Sequence, residues 1–224
     1  SDVCSSDLPA VVAAAQQPDV KMIFLASPNN PTGTPLTPPE VEALLATGIL
    51  VVVDEAYIEF ADSPSLVSWV PRYDNLVVLR TFSKWAGLAG LRVGYGIMAT
   101  PLAGLLDQMK PPYNVNVAGL VGAEAALDDR EYQLERVARM MQERGRLFPL
   151  LAGVPYLEPI PSEGNFILCR TSRDAKGIKQ ALEKRGIFVK AVSDPAFEQG
   201  AVRFSIGRPE HTDALMTDRK STRL

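Results

Sequence analysis

The stretch Leu76-Val77-Val78-Leu79-Arg80-Thr81-Phe82-Ser83-Lys84-Trp85-Ala86-Gly87-Leu88-Ala89-Gly90-Leu91-Arg92-Val93-Gly94-Tyr95 passes from an apolar run into hydroxyls, one lysine and a glycine-rich segment with one arginine. Leu76 to Leu79 reads as a buried strand. Lys84 follows it and a Thr-x-Ser pair, and Arg92 comes eight residues later. A buried lysine, its amine kept neutral by desolvation, can form an imine with an aldehyde. Thr81, Ser83 and Arg92 carry donors that can hold a phosphate. The plain alternative is that a lysine after a serine is a solvated surface residue.

Working outward, the same punctuation recurs. Lys21 to Ala26 is a short apolar run closed by Ser-Pro, and reads as a buried strand. Asn29-Asn30-Pro31-Thr32-Gly33 follows as a turn. Thr37 is placed to cap a helix, with Pro38 and Pro39 in its first turn and Gly48 past its end. Ile49 to Val53 is a further strand, ending in Asp54-Glu55-Ala56-Tyr57, and Arg92 to Met98 is expected to be another. Strands alternating with helices imply a parallel sheet covered on both faces. In such sheets ligands bind beyond the carboxyl ends of the strands. Asn30, Asp54, Tyr57 and Lys84 all fall just past strands.

Beyond Pro101 the pattern turns helical. Pro111 to Asn116 is a loop, and Val117 to Leu127 a small-residue helix suited to close packing. Asp129 to Leu147 alternates charged and apolar residues at helical spacing, and is expected to link two domains with the break near residue 145. The second part opens with a proline-rich loop, Pro155 to Pro161. A strand is expected over Asn165 to Cys169, a helix over Ala175 to Arg185, and strands over Ile187 to Val189 and Val202 to Ile206. The expected fold class is α/β: an incomplete large domain with a mostly parallel sheet over residues 9–145, and a small α+β domain over 146–217.

Both ends look foreign. The DNA string GATCGGAAGAGCACACGTCTG translates as Asp218 to Leu224, and its reverse complement, in another frame, as Asp2 to Asp7. Residues 1–8 and 218–224 are therefore expected to be adapter-derived tails, with the gene cut at both ends. Cys4 then drops out. Cys169 alone offers no internal disulfide, which points to a reducing, cytoplasmic setting.

Composition excludes several function classes. The chain has 224 residues, is 46% hydrophobic and carries a net charge of -3. That leaves room for a sizeable core and argues against a nucleic-acid surface. No apolar run is long enough to span a membrane. His211 is the only histidine and stands where a helix begins, which weakens histidine-based triads and metal sites; no metal is expected. There is no Walker loop, and the glycines at 87, 90, 94 and 96 do not fit a dinucleotide turn.

Pyridoxal phosphate needs an amine, an acid facing its ring nitrogen, donors to its phenolate oxygen and a phosphate site. Lys84 can be the amine and Asp54 the acid. Asn30 and Tyr57 can serve the phenolate, and Thr81, Ser83 and Arg92 the phosphate. Each has a duller use: Asn-Pro is a common turn, an aspartate after a strand often caps a helix, a tyrosine can pack with its hydroxyl in water, and Arg92 can pair with a surface carboxylate.

Ser-Pro-Asn-Asn-Pro-Thr-Gly (27–33), Val-Asp-Glu-Ala-Tyr (53–57) and Thr-Phe-Ser-Lys-x7-Arg-x-Gly-Tyr (81–95) together resemble the fold-type-I pyridoxal-phosphate aminotransferases. Lys-Pro-Pro-Tyr-Asn-Val-Asn (110–116), Pro-Ser-Glu-Gly-Asn-Phe (161–166) and Val-Arg-Phe-Ser-Ile-Gly-Arg-Pro-Glu (202–210) are similar to the histidinol-phosphate aminotransferase branch. The resemblance implies roles. Lys84 would be the imine lysine and proton shuttle, and Asp54 the partner of the ring nitrogen. Asn30 and Tyr57 would hold the phenolate, and Ser83 and Arg92 the phosphate. Arg203 would bind the substrate anion, since one guanidinium accepts a carboxylate or a phosphate. The resemblance also implies a homodimer at full length, acting on small molecules; from charge and apolar-run length, no nucleic-acid or membrane partner is expected.

The sequence departs from that family in two ways. Lys190 stands where relatives usually carry a second anion-binding arginine, keeping the charge but losing the planar fork. The family's N-terminal part is also missing, so the chain by itself is expected to be inactive. Alternatives on the same fold are threonine-phosphate decarboxylation, transamination of another amino acid, or the cofactor-binding part of a transcription regulator.

Overall fold

A computed structural model describes residues 8–218; residues 1–7 and 219–224, most of the two expected tails, lie outside the described residues. Leu8, assigned by sequence to the first tail, opens a helix, α1 (Leu8–Ala15). The chain forms two compact units. One holds residues up to Asn29 and Pro35–Glu135; the other holds Asn30–Thr34 and the chain from Arg136 onward. The division thus falls inside a helix, ahead of the break expected near residue 145.

The first unit is built on a sheet in the order β1 (Met22–Ala26), β2 (Leu50–Asp54), β3 (Leu76–Thr81), β4 (Gly94–Met98). β1, β2 and β3 run parallel, while β4 returns antiparallel to β3. The sequence leads one to expect a strand from Arg92, in a mostly parallel sheet, without fixing its direction. Instead Arg92 takes a left-handed conformation (φ 58°, ψ 46°), the chain reverses there, and pairing starts at Gly94. α2 (Pro38–Leu45) joins β1 to β2 as expected. Only short 3₁₀ turns, Ile58–Phe60 and Leu66–Arg72, lie between β2 and β3.

Side-chain alternation divides the sheet into two faces. Ile23, Val51, Val53, Leu76 and Val78 point to a core completed by Val41, Leu44 and Leu45 of α2 and by Leu66 and Val70. Burying each such side chain is worth about 1.5–3 kcal/mol. On the other face Phe24 remains exposed, so the cover expected on both faces is incomplete among the described residues. The unit continues through α3 (Thr100–Met109) and α4 (Val117–Asp128) into α5 (Arg130–Ala152).

The second unit carries an antiparallel sheet in the order β5 (Leu157–Pro159), β6 (Phe166–Thr171), β8 (Ala201–Ser205), β7 (Lys190–Val192). The C-terminal part of α5, with α6 (Ala175–Glu183) and α7 (Pro209–Asp218), supplies the rest of its core: Leu147 and Leu151 pack with Ile167, Cys169, Ile178, Val202 and Phe204. β5 was not foreseen within the proline-rich loop. The strand expected at Ile187 to Val189 begins instead at Lys190. No helix among the described residues is long and apolar enough to cross a membrane.

Candidate active site

In the first unit the polar residues gather where β2 and β3 end. Asp54 is the last residue of β2. Its main-chain oxygen accepts from Ser27 N at 3.0 Å, tying it to the end of β1. Its Oδ1 accepts from Ala56 N at 3.0 Å, a local bond that turns the chain toward Tyr57. Tyr57 is buried, and Lys84 Nζ lies 5.4 Å from its ring centroid, within range of a cation–π contact. Lys84 itself is exposed, not desolvated as the sequence reading supposed, because it sits on the open turn after β3.

That turn is held by its own hydroxyl. Thr81 Oγ1 accepts from Ser83 N at 3.1 Å and donates to Val93 O at 3.3 Å. Phe82 N also reaches Val93 O, at 3.2 Å, and Leu88 N returns to Phe82 O at 3.0 Å. Arg92 is exposed and donates from Nη1 to Ala89 O at 3.0 Å. α4 locks the segment from the side. Asn116 caps this helix by accepting from Gly119 N at 2.7 Å, and its Nδ2 donates to Leu91 O at 2.8 Å. A Cβ on Gly119 would collide with Val93, so the small-residue helix does allow close approach.

In the second unit Arg203, on β8, donates from Nη1 to Asn30 Oδ1 at 2.6 Å. Its guanidinium carbon lies 4.9 Å from the Phe166 ring centroid, and its buried Nε has no hydrogen-bond partner among the described residues. Lys190 stands opposite Arg203 in the β7–β8 ladder and is exposed. Lys84 and Tyr57 thus come together in one unit, and Asn30 and Arg203 in the other. Asn30, expected to work beside Tyr57, has its carbonyl oxygen engaged by Arg203.

A second polar cluster, which the sequence does not announce, lies behind the strand ends. Glu55 is almost fully buried; its Oε1 accepts from Leu66 N and its Oε2 from Ser65 Oγ, both at 2.7 Å. Arg80 Nη1 stands 3.5 Å from Glu55 Oε2, and Arg80 Nη2 is 2.7 Å from Glu59 Oε1. Burial pushes the Glu55 carboxyl above the usual range, partly offset by the Leu66 N–H, Ser65 and Arg80. The signal was available as parity. Glu55 follows Val53 by two residues and Arg80 follows Val78 by two, so both charges fall on the core face.

The family model described as aminotransferase class I and II matches residues 4–218. A histidinol-phosphate aminotransferase from Dehalococcoides mccartyi is 46% identical over 203 residues, covering 90% of this chain and 56% of the relative. Among solved structures, a putative histidinol-phosphate aminotransferase from Erwinia carotovora atroseptica superposes with a TM-score of 0.86 at 26% identity, covering 99% of this chain and 65% of that one. The histidinol-phosphate aminotransferase from Sinorhizobium meliloti, solved in complex with pyridoxal-5'-phosphate, gives a TM-score of 0.82 at 29% identity, covering 94% and 59%. The chain therefore spans little more than half the length of the curated relative it matches.

Proposed function

Because this chain belongs to the aminotransferase class I and II family, we propose that it is the larger part of a pyridoxal-phosphate-dependent enzyme exchanging an amino group between histidinol phosphate and 2-oxoglutarate, in histidine biosynthesis. The activity is that of a longer protein, a homodimer in a reducing cytoplasm. The observation that carries the reading is the Lys84 ammonium over the Tyr57 ring, beside the strand end that bears Asp54.

The residues present fit that cofactor. Lys84, an exposed residue, stands by the Tyr57 ring; the hydroxyls of Thr81 and Ser83 precede it and the Arg92 guanidinium follows it in the connection from β3 to β4. The cofactor would supply an electron sink for charge developing at the substrate α-carbon. Lys84 would hold its aldehyde and take the proton released from that carbon. Asp54 would keep the ring nitrogen protonated, a charge-assisted bond. Asn30 and Tyr57 would donate to the phenolate oxygen, and Ser83 and Arg92 to the phosphate, while Thr81, expected from the sequence to join them, gives its hydroxyl hydrogen to Val93 O and holds the turn. Arg203, whose buried Nε lacks a partner among the described residues, would receive the substrate's anionic group, with Lys190 beside it in the ladder.

The test uses the full-length protein. Adding pyridoxal phosphate should give a visible absorption band that Lys84→Ala abolishes, and histidinol phosphate should consume 2-oxoglutarate. Absence of the band would overturn the reading. Lys190, lacking the fork of an arginine, leaves room for one rival, a decarboxylase of threonine phosphate. Carbon dioxide release without 2-oxoglutarate consumption would establish that rival instead.

A further inference from the structure

Asp54 and Glu55 are neighbours in sequence but leave the sheet on opposite sides. The same holds for Thr81 and Arg80. Glu55 and Arg80 continue the core face of Val53 and Val78, while Asp54 and Thr81 take the other face. Asp54, the proposed partner of the ring nitrogen, and Thr81, whose hydroxyl holds the lysine turn, thus each share a peptide group with a member of the buried charged cluster. Glu55 N also donates to Leu79 O at 2.9 Å, so the strand ends are joined by main chain as well.

The cluster is poorly made for stability. Two carboxylates face one guanidinium, and Arg80 Nε and Glu59 Oε2 are buried with no hydrogen-bond partner among the described residues. Buried ion clusters of this kind are often matched or bettered in stability by apolar side chains of similar volume. What an apolar replacement does not reproduce is direction. The carboxylate of Glu55 binds one specific N–H and one hydroxyl, and the Arg80 fork spans Ser65, Glu55 and Glu59.

We propose that Glu55, Arg80 and Glu59 are positioning residues: they clamp the ends of β2 and β3 from behind, and so fix where Asp54 and the Thr81–Lys84 turn meet the cofactor. This rests on the function proposed above for Asp54 and Lys84. It predicts a separation between stability and function that a purely structural cluster would not show.

The experiment compares full-length holoenzymes: wild type, the apolar replacement Glu55→Leu/Glu59→Leu/Arg80→Met, Arg80→Lys, and Val51→Ala as a destabilised control in the same core. Thermal midpoint, cofactor dissociation constant, the pH midpoint of the visible band, kcat and KM are measured for each. In the triple variant the thermal midpoint should stay within a few degrees of wild type. Its cofactor affinity and kcat should each fall at least tenfold, with KM within about threefold and the band midpoint displaced. Arg80→Lys, which keeps the charge without the fork, should show the same displacement to a smaller degree; it serves if the triple variant fails to fold. Val51→Ala should lower the thermal midpoint and leave the band midpoint where it was. A folded triple variant or Arg80→Lys with wild-type kcat and band midpoint overturns the clamp, as does a Val51→Ala variant showing the same displacement. A wild-type protein without a visible band overturns the functional reading first, and this inference with it.

Discussion

At Gly33 the backbone holds φ +80°, and a Cβ added there would fall onto the Ser162 hydroxyl. Its carbonyl accepts from Glu163 N at 2.8 Å, so the turn cannot simply shift away. Gly33→Ala should therefore cost at least about 2 kcal/mol, from the left-handed backbone plus the overlap. A fall in the denaturation midpoint of that size checks it; an unchanged midpoint would mean that the turn relaxes freely. Cys169 makes the opposite kind of case. Fully buried on β6, its thiol is pushed up to about 12 by burial. In native protein at pH 8 the peptide containing Cys169 should resist iodoacetamide, and it should be modified at once in denaturant. Modification in the native state would mean the β6 core opens. Among single residues, those at the exit of a strand were legible in the sequence and those packed behind it were not. Asp54, Tyr57 and Lys84 could be picked out because each comes after an apolar run. Glu55 and Arg80 do not stand out, because a charge at a strand end looks solvated until its parity is counted against Val53 and Val78. Nor does the sequence tell how exposed Lys84 is, since that depends on what covers the turn.

Elements are fastened to one another by a few charged contacts, and α5 with α7 is the best defined. Arg146 donates to both oxygens of Glu143 and reaches Asp213 at 2.8 Å. Burial by itself would raise the Glu143 carboxyl, but the bonds from Arg146 and Thr212 outweigh it and hold the group below the usual range. A carboxylate whose folded pKa is depressed adds stability above its unfolded pKa, and loses it as pH falls through the folded value. Unfolding midpoints of the wild-type chain should therefore fall on acidification from about pH 5 downward. Glu143→Gln should lower the midpoint at neutral pH and flatten that acid limb. Parallel curves for the two proteins would show that Glu143 does not contribute. Sequence periodicity marks α5 readily, because that helix spaces its apolar residues at helical intervals. It misplaced β7, where Ile187 to Val189 has strand composition but pairing starts at Lys190. The ladder is set by register with β8, a partner that local composition does not encode.

Across the whole chain, the parallel order of β1 and β2 is legible because a helix signal stands between the two strand runs; β3 joins them in parallel with only 3₁₀ turns before it, and the antiparallel return of β4 depends on the left-handed Arg92. α4 carries a further consequence that hydrophobic content alone did not reveal. Its Gly119, Ala123 and Ala126 are buried, yet Val117, Leu120, Val121 and Leu127 remain exposed. A helix apolar on every side ordinarily lies in an interior. Met109 on α3 and Phe24 on β1 are exposed as well. Apolar surface left in water favours association, by about 25 cal/mol for each Å² removed. The 224-residue chain should therefore sediment as a concentration-dependent mixture and bind a hydrophobic dye while folded. Leu120→Lys/Val121→Lys should shift it toward monomer and reduce dye binding, without changing the circular dichroism spectrum, because both side chains point away from the packed face. A wild-type chain that sediments as a monomer at every concentration would show that the α4 surface is compatible with water as it stands.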